Sequence, residues 1–232
     1  MSDVRLKMTG IGKRFGATVA LDGVDFSARP GKVVALVGEN GAGKSTLMKV
    51  LSGAIEAGTG SMELEGKPFN PSNPMAARRA GVAMIYQELS MAPDLAVAEN
   101  VLLGVEPTRL GVLNWKQMRG KARAALEQLG RGDLPMDAPA GSLSVAEQQI
   151  TEIARALVLG AGVLVFDEPS SSLAQDDVQR LFELIDRLRE QGLAIVYISH
   201  FLEEVQRVAD EVVVLRDGKT VGGGPIDELT ND

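Results

Sequence analysis

The chain has 232 residues, 45% of them hydrophobic, and carries 31 Asp and Glu against 24 Lys and Arg for a formal net charge of −7. That is enough apolar material for one large core or two small ones, while an acidic chain without a basic run is a poor match for nucleic acid held through phosphate neutralisation. Cysteine is absent, which excludes a disulfide framework and thiolate chemistry and suits a reducing cytosol.

Met1-Ser2-Asp3-Val4-Arg5 lacks the apolar core of a signal peptide, and no stretch approaches the ~20 apolar residues of a membrane span. The expectation is that any membrane role comes through a partner. Residues 4–29 read as short strands and turns: Val24, Phe26 and Ala28 alternate with polar neighbours, and Arg29-Pro30-Gly31 turns the chain. A Gly-flanked loop follows the first of these strands, and its Phe15 could stack on a base, although an isolated aromatic also serves as packing.

Val33-Val34-Ala35-Leu36-Val37 is a short β-branched run, expected as a buried strand. It leads into Gly38-Glu39-Asn40-Gly41-Ala42-Gly43-Lys44-Ser45-Thr46, which fits G-x-x-x-x-G-K-[ST]. Leu47, Val50 and Leu51 then recur at helical spacing, so a helix opens at about Gly43. Strand, glycine loop and helix together turn the pattern into a phosphate site. Glycines let backbone N–H groups crowd around phosphates without Cβ clashes, and the helix N-terminus adds free donors and partial positive charge. In that setting Lys44 reaches the β- and γ-phosphates of a nucleotide and the Ser45 hydroxyl ligates Mg²⁺. An ordinary glycine-rich turn would not need the flanking strand and helix.

Ser61-Met62-Glu63-Leu64-Glu65-Gly66 alternates, so an antiparallel patch beside a parallel core is expected. Val82-Ala83-Met84-Ile85-Tyr86 is a second buried strand, followed at once by Gln87, whose amide can ligand Mg²⁺ or the attacking water, or bond its own loop. Residues 95–160 read as mainly helical. Asn114 caps a helix with Trp115, Met118, Ala122, Ala125 and Leu129 on one side and Gly130 at its end, and Trp115 is expected to be a packing residue. Asp133 to Gly141 is a loop with two prolines. Ser144-Val145-Ala146-Glu147 is a capping box, opening a helix with Ile150, Ile153, Ala154, Leu157 and Val158 on one face.

Val163-Leu164-Val165-Phe166 runs straight into Asp167-Glu168. Open α/β sheets place ligands at such C-terminal strand ends. With the phosphate loop upstream, Asp167 is expected to hold Mg²⁺ through water and Glu168 to act as general base on the attacking water; alone, the pair would read as two solvated acids. Val178, Leu181, Phe182, Ile185 and Leu188 mark a helix closed by Gly192, and Leu193 to Ile198 is a strand. His200, the one histidine of the chain, lies just past that strand, as Asp167 lies at the end of its own, so a γ-phosphate contact is expected rather than a merely local bond. Leu202, Val205 and Val208 mark a short helix, and Val212 to Val221 reads as a hairpin around Asp217-Gly218. Alternating β and α predicts a parallel sheet with helices on its faces.

In order and almost end to end, these motifs resemble the nucleotide-binding domain of ABC transporters. The resemblance makes Phe15 the adenine-stacking residue, Gly38 to Thr46 Walker A, and Gln87 the Q-loop glutamine. It makes Leu143 to Gln149 the signature region, Val163 to Glu168 Walker B with its catalytic glutamate, Ser171 to Ala174 the D-loop, and His200 the switch histidine. It implies an α/β fold: a P-loop NTPase core with a parallel sheet, an N-terminal antiparallel β subdomain, and a helical subdomain inserted over 95–160 of a single domain spanning 1–232. The wording of Walker A, of Tyr86-Gln87-Glu88-Leu89-Ser90 and of Glu147-Gln148-Gln149 is similar to the ribose/galactose class of bacterial sugar importers. In that class two such domains are fused, and this chain resembles the N-terminal one.

The resemblance further implies ATP hydrolysis with Mg²⁺ at the cytoplasmic face of the membrane. The implied partners are a second nucleotide-binding domain, a transmembrane permease and an extracytoplasmic sugar-binding protein, with no nucleic acid. A nucleoside or other small solute is the alternative cargo, and a non-transport ABC ATPase ranks behind both. Ser144 would face the γ-phosphate held by the second domain. Four residues depart from the pattern: Ala146 stands for glycine, Glu147 for the frequent glutamine, Ser170 for threonine and Ala174 for aspartate. The first-turn amides behind Ser144 are expected to point outward at an anion site that the Ala146 Cβ and the Glu147 charge weaken.

Overall fold

The computed structural model describes residues 4–86, 90–109 and 111–228. The N-terminal residues form β1 (Leu6–Phe15) and β2 (Thr18–Ala28), two long antiparallel strands where the sequence suggested short ones. Register shifts between Met8 and Arg14 carry β1 past its irregular stretch without ending it. Next come β3 (Val33–Val37), α1 (Lys44–Leu51), β4 (Thr59–Leu64), β5 (Lys67–Pro68), α2 (Pro74–Arg79) and β6 (Val82–Ile85). The chain continues through α3 (Val97–Leu102), a small hairpin of β7 (Thr108–Arg109) and β8 (Val112–Leu113), α4 (Trp115–Gln128) and α5 (Val145–Val158). It closes with β9 (Val163–Asp167), α6 (Gln175–Glu190), β10 (Ala194–Ile198), α7 (Leu202–Val208), β11 (Glu211–Arg216) and β12 (Lys219–Pro225).

One sheet has the order β2-β1-β4-β5 and the other β12-β11-β3-β10-β9-β6. In the second, β11, β3, β10, β9 and β6 are parallel and β12 returns antiparallel. Its strands read as unbroken apolar runs because both faces are covered. Val33 and Ala35 of β3, with Leu164 and Phe166 of β9, pack into the helical side. Val34 and Leu36, with Val163 and Val165, pack toward α1 and the antiparallel sheet. Helices α3, α4 and α5 leave the sheet after β6 and return to β9, the strand beside it.

Asn114 caps α4 by accepting the Gln117 N–H, and Met118, Ala122, Ala125 and Leu126 are buried. Trp115, expected to pack, is instead 48% exposed: it is the first residue of α4, and the buried residues of that helix begin at Met118. Leu202, expected on the buried side of α7, is also exposed. The buried side of α5 is less apolar than its periodicity suggested: Gln149, Glu152 and Arg155 are inside. Arg155 donates to the Ser90 and Asn100 carbonyls at 2.9 and 2.7 Å, and Glu152 accepts the Ser90 N–H at 2.6 Å. Burial raises the pKa of Glu152 against that bond and the neighbouring Arg155 charge. Among the described residues no helix is long and apolar enough to cross a membrane.

Candidate functional site

The phosphate-loop motif lies between β3 and α1, as its sequence required. Gly41 and Gly43 have φ of +87° and +107°, in the region that L side chains rarely adopt. The glycines are also forced by close neighbours. A Cβ on Gly43 would lie 2.8 Å from the Ala20 carbonyl oxygen of β2, and one on Gly38 would lie 2.4 Å from the Leu215 carbonyl oxygen of β11. The β11–β12 turn completes the lock: the Gly218 N–H donates to the Ala42 carbonyl at 3.0 Å, while the Gly218 carbonyl accepts the Asp22 N–H at 2.8 Å. Gly43 caps α1 without a side-chain bond, and no acid occupies the first turn. The first amides of α1 are therefore left for an outside acceptor. Lys44 is only 8% exposed, and its ammonium donates to the Gly38 and Glu39 carbonyls of the loop itself, the latter at 3.1 Å.

At the C-terminal edge of the same sheet, Asp167 ends β9 in register with Ile198 of β10. The Glu168 N–H donates to the Ile198 carbonyl at 3.0 Å, and Glu168 has φ of +48°. A carboxylate residue held there is a strained feature of the kind that clusters at functional sites. Its Oε1 lies 3.3 Å from Nδ1 of His200. Burial raises the pKa of Asp167, the Glu168 charge raises it further, and the nearby Lys44 ammonium opposes both.

A cavity of about 170 Å³ joins these parts, lined by Ala20, Glu39, Asn40, Gly41, Gly43, Lys44, Ser45, Thr46, Asp167 and Glu168. Gly38 and Ala42 stand behind the loop, and Ala42 is 5% exposed. The cavity has uncapped helix amides and a buried ammonium on one wall and two carboxylates on the other. That donor set fits a polyphosphate with a hard divalent cation between phosphate and acid. Among the described residues no cluster of three or more His, Cys, Asp or Glu could hold a metal, so Mg²⁺ here would complete its shell with water and phosphate oxygens.

The other sequence candidates lie elsewhere. Phe15 sits at the end of β1, half exposed, with the Lys13 ammonium 5.6 Å from its ring centroid, and does not line the cavity. Gln87 lies outside the described residues. Ser144 caps α5 well away from the phosphate-loop cavity, at a separate cleft of about 350 Å³. At the start of α5 the chain supplies a negative charge of its own. Glu147 folds back so that its Oε2 accepts the Ser144 N–H at 3.0 Å and the Ser144 hydroxyl at 2.9 Å, and its Oε1 pairs with Arg131 at 3.0 Å. The Ser144 backbone bond is the largest cause of a lowered Glu147 pKa. Sequence reading missed Ala20, Leu215 and Gly218 as parts of the loop's support; Asp217-Gly218 signalled a turn but not what the turn would touch.

The sequence profile of the family described as ABC transporter matches residues 21–171. The chain is 51% identical over 219 residues to a ribose import ATP-binding protein of Chromobacterium violaceum, covering 94% of this chain and 44% of that protein. It is 48% identical over 224 residues to one from Escherichia coli O157:H7, covering 97% and 44%. The chain thus spans less than half the length of these relatives. Among solved structures, an ATP-binding cassette of an ABC transporter in its ADP conformation superposes with a TM-score of 0.86 at 29% identity, covering 99% of this chain and 95% of that one. A nucleotide-free cassette gives 0.84 at 28% identity, covering 96% and 91%.

Proposed function

The chain belongs to the ABC transporter family, and from that premise we propose that its 232 residues form one nucleotide-binding domain. It hydrolyses ATP to drive uptake of a monosaccharide, ribose being the first to test, through a membrane permease. The observation that carries the reading is the single cavity that sets the Lys44 ammonium and the uncapped amides of α1 against Asp167 and Glu168, with His200 touching Glu168. The names of the relatives support the cargo.

In this reading the loop amides from Gly41 to Thr46 and the Lys44 ammonium bind the β- and γ-phosphates. On ligand entry the ammonium exchanges its two loop carbonyls for phosphate oxygens. Ser45 and Asp167 would hold Mg²⁺, with Gln87 beside it, and the ion supplies charge neutralisation of the phosphates when bound. Glu168 takes a proton from the water that attacks the γ-phosphorus, and the P–O bond to the β-phosphate breaks to leave ADP and phosphate. His200 orients Glu168 and contacts the γ-phosphate. Phe15 stacks on adenine from the β1–β2 turn. A second nucleotide-binding domain closes over the site, the permease carries the assembly at the cytoplasmic face of the membrane, and an extracytoplasmic binding protein delivers the sugar.

The test is reconstitution of the full-length polypeptide with its permease and binding protein in proteoliposomes. Ribose-loaded binding protein should stimulate phosphate release and labelled ribose should accumulate. Stimulation by a nucleoside instead would keep the ATPase and replace the cargo, and absence of ATP hydrolysis would remove both.

A further inference from the structure

His200 is half exposed and its ring meets Glu168, and the residues on either side of it are held by a separate set of bonds. The anchor is Glu204, in the first turn of α7. Its Oε2 accepts two hydroxyl bonds, from Tyr197 Oη and from Ser199 Oγ, each at 2.8 Å. Ser199 Oγ in turn accepts the Phe201 N–H at 3.0 Å. Residues 199 and 201, immediately flanking His200, thus converge on one carboxylate oxygen. Ser199 is 1% exposed and Tyr197 fully buried, so the two bonds are shielded from competing water. The end of β10 and the turn after it therefore share one anchor.

We propose that Glu204 is a positioning residue for the ATPase reaction: through Ser199 and Tyr197 it fixes the turn that presents His200 to Glu168. This rests on the reading of the site given above. Glu204 lies outside the phosphate-loop cavity and touches no reacting group. Its effect is on geometry, where a displacement of about 1 Å costs on the order of 100-fold in rate.

The chain contains one histidine, so its imidazole gives a single set of ring signals in NMR. Glu204→Ala should lower kcat about 10- to 100-fold, leave the KM for ATP within about twofold, and shift or broaden the His200 ring signals. Glu204→Gln keeps an acceptor oxygen for the two hydroxyls and should return kcat to within about threefold of the parent. Ser199→Ala should match Glu204→Ala, and combining the two should add little, since both break one chain of bonds. Should Glu204→Ala fail to fold because the Tyr197 hydroxyl is stranded, Tyr197→Phe with Glu204→Ala removes that hydroxyl and gives the same readings. Unchanged kcat, a kcat loss with unmoved His200 signals, or additive losses from the two sites would each overturn the proposal. Absence of hydrolysis by the parent chain would overturn the ATPase reading alone, while the His200 signals would still decide what Glu204 does.

Discussion

Helices α1 and α5 both end in amides that carry the partial positive charge of a helix N-terminus, and the protein treats the two in opposite ways. At α1 the cap is Gly43, with no side chain to bond the amides, no acid in the first turn, and a lysine as first helical residue. A cation there works against the helix dipole by ~0.3–1 kcal/mol, so α1 forgoes local stability and keeps its donors for a ligand. At α5 the cap is Ser144 and the third helical residue is Glu147, whose carboxylate folds back onto the Ser144 N–H and hydroxyl and is itself paired with Arg131. The two helix starts differ in whether the chain brings a negative charge of its own to them.

The strongest way to break this contrast is Lys44→Ala. Hydrolysis should fall by at least ~100-fold and ATP affinity should drop sharply, because the cavity loses its one buried cation. Phosphate release and calorimetric titration measure both, and wild-type turnover would remove the assignment. Glu168→Gln should stall turnover by a similar factor yet keep ATP binding, since Asp167 and the loop remain, and should favour a closed ATP-bound dimer in sedimentation. Loss of ATP binding would make Glu168 structural.

On the α5 side the expected effects are smaller. Ala146→Gly with Glu147→Gln, made in the complete transporter, should change ATPase and transport by less than about twofold, as expected if the site on this signature does not limit turnover. A several-fold rise would show the reverse. Smallest is a pH effect on stability. Glu147 has a lowered pKa in the fold, with the Ser144 bonds as the main cause and Arg131 contributing. Its contribution is therefore present above the ordinary carboxylate value of 4.5 and is lost as pH falls through the lower folded value. The group is largely solvent-screened, so the charge is worth no more than about 0.5 kcal/mol. Thermal melts should show Glu147→Gln slightly less stable at pH 6, with the difference from the parent shrinking as pH falls below 4.5.

The sheet order reflects what the sequence could reveal. Residues 33–36, 82–85, 163–166 and 194–198 are buried, so their strands read as nearly unbroken apolar runs and announce themselves. Asp167 and Glu168 were legible because they stand where such a run stops, and Lys44 because the glycine motif that follows one contains it. What was not legible depends on contacts between distant segments. Gly38 looks like any loop glycine until Leu215 is placed 2.4 Å from its absent Cβ. Glu152 and Arg155 look solvent-facing because their positions carry charge, and only the Ser90 and Asn100 backbone explains their burial. At α5 the capping-box pattern showed that Glu147 folds back onto Ser144, as it does, but not that Arg131 would pair with its other oxygen.

The position of β3 bears on how this chain folds as it is made. Its two sheet neighbours are β10 and β11, whose residues follow it by more than 150 positions. Leu215 and Gly218, which hold Gly38 and Ala42, are later still. During synthesis at roughly 5–20 residues per second, the phosphate-loop motif leaves the ribosome early and then waits several seconds for the strands that make it a site. The antiparallel pair β1–β2, local in sequence, can form in that interval; the ligand cavity cannot. A nascent chain arrested after Ile198 would carry every residue of the motif and should not be retained on immobilised ATP, whereas one released past Pro225 should.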